Sequence, residues 1–336
     1  MKALQKLASS PVLFLIGSVP AFAGVVVNSP VNGEDVSSPF SLSATAATCS
    51  SESVSAMGYS LDSSPDTTTK SGQVLDASVA SPAGGHTVHV KAWGDKGAVC
   101  VSDVTINVAA SAALVPSFAT SIGAVQILGD WQEYHDPGTA GWSSGAMSLV
   151  GSPSMGGTAR KFYTTYGSNG GERYHASFSD DEAATNFVYD AWLYLTSDAG
   201  NIANLEMDLN QVMPNGQTVL FGFQCDGWSG TWDYNANWTG PAKPSNTWMH
   251  TGAACNPRSW GRNQWHHIEI SYSRTEYGVV TYHSVTLDGK ETAINATAPS
   301  AYALGWAPVL LTNFQVDGLG SGSNTVYLDD LVIYRW

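Results

Sequence analysis

Short segments in which apolar and polar residues alternate recur along the whole chain. His86–Trp93 alternates in the first third, and Ile202–Gln211 alternates almost without interruption further on. A period of two is typical of a β-strand with one buried face, whereas an amphipathic helix repeats every three to four residues. No helical pattern longer than about two turns can be traced. The chain is therefore predicted to be all-β.

The strand patterns fall into two groups separated by a bland segment. Residues 24–108 hold roughly six or seven short strands, which indicates a small β-sandwich. Residues 109–121 are rich in small residues and contain Pro116, so they are predicted to be a linker. Residues 122–336 are predicted to form a larger antiparallel sandwich or jelly roll. Its strand candidates are Arg160–Tyr166, Arg173–Phe178, Phe187–Thr196, Ile202–Gln211, Val219–Cys225, His266–Tyr272, Val279–Leu287, Leu310–Val316 and Thr325–Tyr334.

Composition narrows the classes of protein. The 336 residues are 43% hydrophobic and 12% charged, which argues against intrinsic disorder. Asp and Glu total 28 against 14 Lys and Arg, and the formal net charge is −14. A general nucleic-acid binder needs a basic surface, so a nucleic-acid partner is not expected.

The first residues have the pattern of a secretory signal peptide. Lys2 and Lys6 precede an apolar run, and Ala21-Phe22-Ala23 is a small-x-small cleavage site. The run is much shorter than the roughly 20 residues that span a membrane. We expect residues 1–23 to be removed by cleavage after Ala23, which predicts a secreted or periplasmic protein without a membrane span.

Cysteine usage agrees with an oxidising compartment. The four cysteines are Cys49 and Cys100 in the first group of strands, and Cys225 and Cys255 in the second. Among the three possible connectivities, Cys49–Cys100 with Cys225–Cys255 is the most economical. No CxxC pair occurs in the sequence, so neither a zinc ribbon nor a thioredoxin-type site is indicated.

The segment Ile202–Gln211 places its polar residues on one face. Asn204, Glu206, Asp208 and Asn210 alternate with Leu205, Met207 and Leu209. Residues two apart on a strand lie about 7 Å apart on the same face. Neighbouring carboxyl groups raise one another's pKa, which suits a general acid. An ordinary solvated strand face is the alternative interpretation.

Aromatic residues are concentrated in a polar segment. Six of the 12 tryptophans fall in the segment from Trp228 to Trp265, and the surrounding sequence is rich in Gly, Asn and Ser. We expect this segment to be a loop, in which Trp228, Trp232 and Tyr234 stack on the C–H faces of sugar rings. A loop that packs on itself over one end of the sandwich is the alternative.

The strand Glu206-Met207-Asp208-Leu209-Asn210-Gln211 resembles the catalytic strand of concanavalin A-like glucanases of families 7 and 16. That strand has the pattern Glu-x-Asp-x-x-Glu or Glu-x-Asp-x-Glu, in which the last Glu is the acid/base. The resemblance implies that Glu206 is the nucleophile and Asp208 its support. The acid/base position holds Gln211 or Asn210, and neither amide is an acid. Either another strand supplies the acid, or the groove binds without cutting.

Two broader resemblances complete the predicted architecture. Trp265–Tyr272 and Val326–Tyr334 resemble strands of laminin-G-like sandwiches, and the phrase VNSPVNGEDVSSPFSLSATA resembles the start of bacterial immunoglobulin-like modules. They imply an immunoglobulin-like sandwich over residues 24–108, then a concanavalin A-like jelly roll over 122–336. They also imply a structural calcium ion at Asp329 and Asp330, whose oxygens are suitable ligands. No other cofactor is expected.

The predicted function is recognition of a polysaccharide in the concave face of the jelly roll. A glycoside hydrolase that uses Glu206 and Asp208 is the first alternative, and a polysaccharide lyase that uses His or Tyr as its base is the second. A structural surface protein is a third. The oligomeric state is not predicted. The predicted substrate-binding residues are Asn204, Asn210, Gln211, Trp228, Trp232, Tyr234, Arg173, His175 and His267.

Overall fold

The computed structural model describes residues 24–36, 38, 40–79, 81, 84–108, 115–179 and 181–336. The predicted signal peptide, residues 1–23, lies outside the described residues, and so do residues 109–114 of the predicted linker. Residues 24–108 form the first part of the chain, and residues 115–336 form the second part.

The all-β prediction is confirmed. Apart from strands and turns, the described residues form only the short 3-10 helices Val125–Ile127, Ala199–Asn201 and Pro257–Ser259. None of the described helices has the length and apolar character that crossing a membrane requires. The assignments of the two parts to the immunoglobulin-like and concanavalin A-like families stay predictions.

The first part forms two sheets. One has the strand order β1-β3-β7, and the other has the order β2-β9-β8-β5-β4 with β6 beside β5. Inward side chains such as Leu42, Val88 and Val90 are fully buried between them. The strands are β1 (Val26–Ser29), β2 (Glu34–Val36), β3 (Phe40–Thr45), β4 (Thr48–Cys49), β5 (Glu52–Leu61), β6 (Thr68–Ser71), β7 (Val74–Val79), β8 (Gly84–Gly94) and β9 (Val99–Val108).

The second part also forms two sheets. The eight-stranded sheet has the order β12-β13-β26-β15-β21-β22-β23, with β10 beside β26. The nine-stranded sheet has the order β11-β14-β25-β16-β18-β19-β20, with β17 beside β16 and β24 beside β17. The strands are β10 (Thr120–Ile122), β11 (Gln132–His135), β12 (Trp142–Val150), β13 (Ala159–Gly167), β14 (Gly171–Ser179), β15 (Asn186–Leu195), β16 (Ile202–Val212), β17 (Thr218–Phe221), β18 (Phe223–Asp226), β19 (Thr231–Ala236), β20 (Thr247–Ala254), β21 (Trp265–Arg274), β22 (Val279–Leu287), β23 (Lys290–Pro299), β24 (Ala301–Tyr302), β25 (Leu310–Gly318) and β26 (Gly322–Arg335).

The predicted loop between Cys225 and Trp265 is wrong in two places. β19 and β20 lie inside it and pair with each other, and β19 also pairs with β18. The segment is polar because the face of β19 opposite the core carries Asp233 and Asn235, not because it is irregular. Further upstream, β10 begins at Thr120, inside the segment predicted as the linker, and pairs with β26.

A single aromatic core joins the two sheets of the second part. Phe162 and Phe314 come from opposite sheets, and their ring centroids are 5.0 Å apart. Phe187 and Phe221 make the same kind of contact at 5.2 Å. Large buried side chains of this type contribute most of the hydrophobic stabilisation, at about 25 cal/mol per Å² removed from water. The core therefore fixes which face of each strand is left for a site.

The two parts of the chain contact each other. Met155 and Trp192 of the second part pack into the core of the first part. The Asp66 carboxylate accepts hydrogen bonds from the Ser152 hydroxyl at 2.5 Å and from the Ser154 backbone N–H at 3.1 Å. A cavity of about 860 Å³ lies between the two parts.

The predicted disulfides are confirmed. Cys49 is bonded to Cys100 in the first part, and Cys225 is bonded to Cys255 in the second. The second bridge ties the start of the β18–β20 region to its end. It therefore holds together the strands that form one side of the groove described next.

Candidate functional site

The alternation of β16 separates a buried apolar face from a polar face that lines a groove. Leu205, Met207 and Leu209 are fully buried between the two sheets. The polar residues of the strand lie on the opposite face of the nine-stranded sheet and line a groove of about 1080 Å³. These groove residues are Asn204, Glu206, Asp208 and Asn210.

A row of polar side chains crosses the sheet through Glu206. Strand pairing places Glu206 opposite Gln315 on one side and opposite Gln224 on the other. Gln315 is in turn opposite Arg173, which is opposite Tyr134. Directly opposed residues on neighbouring strands share a face and lie within contact distance. β16 therefore contributes one position to a polar strip that continues over five strands.

Amide side chains hold the groove carboxylates in place. Asn204 Nδ2 donates to Gln224 Oε1 at 2.6 Å and to Asp317 Oδ2 at 3.2 Å. Gln315 Nε2 donates to Asp317 Oδ1 at 3.0 Å and to Asp136 Oδ2 at 3.1 Å. These buried bonds fix side-chain orientation before any ligand arrives.

Glu206 and Asp208 share a hydrogen bond and compete for one proton. Burial, and then the negative charge of Asp208, raise the pKa of Glu206 well above its ordinary value. Burial also raises the pKa of Asp208 to about 6, although hydrogen bonds from Glu206 and from the Phe223 backbone N–H, at 3.0 Å, act in the opposite direction. The hydrogen-bonded pair therefore holds a proton more readily than two isolated carboxyl groups would.

Carboxyl groups outnumber basic groups in the groove. Burial raises the pKa of Asp317 to about 7. Among the described residues that line the groove, Arg173 is the one guanidinium, and its Nε lies 3.6 Å from Asp136 Oδ1. Burial and then Arg173 lower the pKa of His175, which keeps its imidazole neutral. The carboxyl groups of the lining are those of Asp136, Glu206, Asp208, Asp226 and Asp317.

Exposed aromatic rings border this polar strip. Trp228 is 49% exposed and Trp306 is 41% exposed, and both line the groove. Tyr134 is 51% exposed and stacks on His175 with ring centroids 5.2 Å apart and planes at 12°. Rings of this kind present flat apolar faces next to polar groups. The structure thus brings together Arg173, His175 and Trp228 from the predicted set with Asn204 and Asn210.

Three predicted groove residues lie elsewhere because of strand alternation. Gln211 shares the parity of Leu209, so its amide is buried on the core side and donates to the Asp181 and Ala184 carbonyls. Trp232 is 3% exposed and stacks on Phe223 inside the core. Tyr234, on the same face of β19, packs against Tyr282. None of these three residues lines the groove, and substrate binding by them stays a prediction.

His267, a predicted substrate-binding residue, belongs to the other sheet. It lies on β21 of the eight-stranded sheet, and its Nε2 is 2.7 Å from Asp190 Oδ1. Its imidazole faces away from the core, toward the cavity between the two parts of the chain. A residue on this sheet cannot contact a ligand in the groove, because the full sandwich lies between them.

The predicted calcium ligands show a different arrangement. The Asp329 carboxylate accepts hydrogen bonds from the Ser154 hydroxyl at 2.8 Å and the Met155 backbone N–H at 2.7 Å. Gln126 Nε2 donates to its other oxygen at 3.1 Å. Within the described chain, the clusters of three possible metal ligands are Asp190–His267–Glu269 and Asp226–Asp233–His250, which do not include Asp329 or Asp330. Calcium binding at Asp329 and Asp330 stays a prediction.

The strand next to β16 is predicted from the sequence, but its polar row is absent from the predicted site residues. In β25, Asn313, Gln315 and Asp317 alternate with Phe314 and Val316, and the polar set lines the groove. The same alternation that identified β16 could have identified this row. What the sequence pattern lacks is the information that the two rows are neighbours.

The comparisons with known proteins concern the fold. No protein-family model matches the sequence, and no curated protein matches it. Similar solved structures include a carbohydrate-binding module of a β-sandwich superfamily, at 12% identity and a TM-score of 0.37, covering 93% of this chain and 98% of that one. A family 11 carbohydrate-binding module from Clostridium thermocellum has 9% identity, a TM-score of 0.30 and coverages of 65% and 95%. Arcelin-5, a lectin-like defence protein from Phaseolus vulgaris, has 12% identity, a TM-score of 0.33 and coverages of 65% and 98%. Function is therefore argued from the groove itself.

Proposed function

We propose that the protein binds a neutral polysaccharide in the groove of the nine-stranded sheet. The observation that carries the proposal is the polar strip through Glu206, which crosses five strands and is bordered by exposed aromatic rings. Sugar hydroxyls both donate and accept hydrogen bonds, and sugar rings present C–H faces that pack on aromatic rings. Amides, carboxyl groups and exposed tryptophans are the matching partners.

The charge of the groove favours a neutral sugar over an acidic one. Its carboxyl groups are opposed by the single guanidinium of Arg173 among the described lining residues. A polymer of uronates would bring further negative charge into a site that already raises the pKa of Asp317 to about 7. Like charges that are close together in a buried site repel strongly. The same argument counts against a lyase, because lyases of this kind act on uronates.

The rim tryptophans give the most direct test. Trp228→Ala is expected to weaken binding to the recognised polysaccharide about fivefold to tenfold, as one lost aromatic contact of about 1–1.5 kcal/mol implies. Trp238→Ala is the matched control, because Trp238 is 56% exposed and does not line the groove. Binding is measured by depletion onto insoluble glucans and xylans and by calorimetry with soluble oligosaccharides. Equal affinity of the Trp228 variant and the wild type would contradict the proposal.

Hydrolysis is a second candidate function, and one observation favours it. Asp317 lies on β25, next to β16, and its negative charge is one of the causes that raise the pKa of Glu206. A carboxyl group with a pKa of about 7 is partly protonated at neutral pH. Asp317 could therefore act as the general acid that β16 lacks. Asp208 is a poor second carboxyl, because a hydrogen-bonded pair is closer than the about 5–5.5 Å of a retaining glycosidase.

Glu206→Gln separates binding from hydrolysis. A glutamine keeps the size of Glu206 and can both donate and accept a hydrogen bond, so affinity is expected to stay within about threefold of the wild type. The same variant cannot supply a nucleophile, so any release of reducing ends would be lost. Reducing ends from the wild type but not from the variant would favour hydrolysis. Ultraviolet absorbance from an unsaturated uronate would instead favour elimination.

A further inference from the structure

A second cluster of polar residues lies on the outer face of the eight-stranded sheet, far from the groove. Asp190 of β15 and Glu269 of β21 are directly opposed, and His267 is two residues from Glu269 on the same face. One ligand atom from each residue lies within 4.8 Å of the other two. Their neighbours Ala191 and Ile268 point into the core, which fixes the outward direction of all three.

Glu269 has no hydrogen-bond partner among the described residues, although it is only 5% exposed. Burial, and then the charge of Asp190, raise its pKa to about 7. A buried carboxylate is costly unless a cation or several donors compensate its charge. Asp190 compensates part of its own charge through His267, at 2.7 Å, which leaves Glu269 without a partner beside two possible metal ligands.

The imidazole of His267 is held in position by its surroundings. The Trp192 ring stacks on it with centroids 4.5 Å apart and planes at 12°. The backbone N–H of His267 donates to Asp288 Oδ1 at 3.0 Å. Interactions that orient a ligating side chain raise metal affinity, because less ordering remains to be done on binding.

We propose that Asp190, His267 and Glu269 bind a divalent transition metal of the zinc class. Two carboxylates and one imidazole are suitable donors for Zn²⁺, whereas Ca²⁺ and Mg²⁺ prefer oxygen alone. Ligand atoms around one tetrahedral zinc ion are about 3.4 Å apart. Zinc binding therefore requires His267 Nε2 and Asp190 Oδ1, which are 2.7 Å apart, to move apart by less than about 1 Å. His267 lines the cavity between the two parts of the chain, which gives the ion a route to the site.

The other three-ligand cluster is a weaker candidate. Asp226 accepts hydrogen bonds from the Trp228 and Ser229 backbone N–H groups, and Asp233 accepts one from the Thr231 hydroxyl at 2.6 Å. These carboxylates are therefore already compensated by protein donors. His250 lies largely in solvent, with 62% of its side chain exposed. Zinc binding at this second cluster is the competing possibility, which the experiment must distinguish from binding at Glu269.

To test the proposal, the purified full-length protein is first dialysed against a chelator and then titrated with zinc. Calorimetry with ZnCl₂ is expected to show one equivalent bound per chain and no comparable binding of CaCl₂. Glu269→Gln is expected to weaken zinc binding at least tenfold. Glu291→Gln is the matched control and is expected to leave zinc binding unchanged, because Glu291 is exposed and acts on Glu269 only through its charge. His250→Ala is the control for the other cluster.

Thermal unfolding of each variant shows whether it is folded. Glu269→Gln removes an uncompensated buried charge, so its melting temperature without metal should not fall. Zinc should raise the melting temperature of the wild type and of the two control variants, but not that of Glu269→Gln. Asp190→Asn is a second variant for which the same loss of zinc binding is expected. The proposal is overturned if the wild type binds no zinc, if Glu269→Gln binds it as tightly as the wild type, or if only His250→Ala loses it.

Discussion

The buried carboxyl group of Asp317 makes folding stability depend on pH, and Asp317→Asn is expected to remove that dependence. Burial is the main cause that raises its pKa from 3.8 to about 7. In the unfolded chain the group has its ordinary pKa. From about pH 4 to about pH 7 the folded protein therefore binds a proton that the unfolded chain releases. The stabilising contribution is complete below about pH 4 and is lost as the pH rises through about 7.

The size of the effect follows from the two pKa values. The difference between 3.8 and about 7 corresponds to about 4 kcal/mol, at about 1.4 kcal/mol for each pKa unit. Asparagine cannot ionise, but it offers only one acceptor oxygen to the amides of Asn204 and Gln315, at a cost of about 1 kcal/mol at any pH. Asp317→Asn is therefore expected to stabilise the protein by about 3 kcal/mol at pH 8 and to destabilise it by about 1 kcal/mol at pH 4.

Urea unfolding followed by tryptophan fluorescence at pH 4 and pH 8 measures both values. Asp95→Asn is the matched control, because the Asp95 side chain is exposed, and its free energy of unfolding should differ from that of the wild type by less than about 0.5 kcal/mol at either pH. The reasoning is refuted if Asp317→Asn changes the free energy of unfolding equally at the two pH values. That result would mean that the groove carboxyl group is solvated and ionised in the folded protein.

Three further predictions concern stability. Trp232→Ala should lower the free energy of unfolding by about 3–5 kcal/mol, because its ring lies in the core; a loss below about 1 kcal/mol in urea unfolding would place the ring outside it. Replacing Cys225 and Cys255 together by Ala should lower the free energy of unfolding by about 3–4 kcal/mol, because the bridge closes a loop with a sequence separation of 30. Melting curves with and without reductant check this, and an equal shift in the melting temperature of wild type and variant on reduction would contradict it. Asp66→Ala should cost about 1–2 kcal/mol, because it removes one of the acceptors that join the two parts of the chain. An unchanged calorimetric melting profile would show that this contact contributes nothing.

The sequence predicts individual strands well, because alternation is a local property. The predicted strand Ile202–Gln211 matches the observed Ile202–Val212 closely, and Leu310–Val316 matches Leu310–Gly318. The alternation also gives the correct face for Glu206 and Asp208. A strand with one apolar face has only one register that buries that face, so its orientation follows from its own residues.

The composition of the site could not be predicted in the same way. Glu206 meets Gln315 across a sequence separation of more than a hundred residues, and no local pattern encodes that pairing. The sequence around Trp232 predicts a loop because one face of β19 carries polar residues, which weakens the usual apolar signal of a strand. The sequence does not exclude His267 from the groove, because residue type alone does not show to which of two stacked sheets a strand belongs.

The cost of the groove carboxyl groups is itself an argument for a function there. Burial raises the pKa of Asp208 to about 6 and that of Asp317 to about 7, so each of these side chains weakens folding at neutral pH, where a threonine would not. Burial also raises the pKa of Asp329, but that carboxylate joins Gln126 to Ser154 through hydrogen bonds and so has a structural role. Asp208 and Asp317 accept their hydrogen bonds from their own strand and from neighbouring strands of one sheet, which backbone pairing already joins. Residues that oppose folding and cluster on one face beside exposed aromatic rings are best explained by a ligand that uses them.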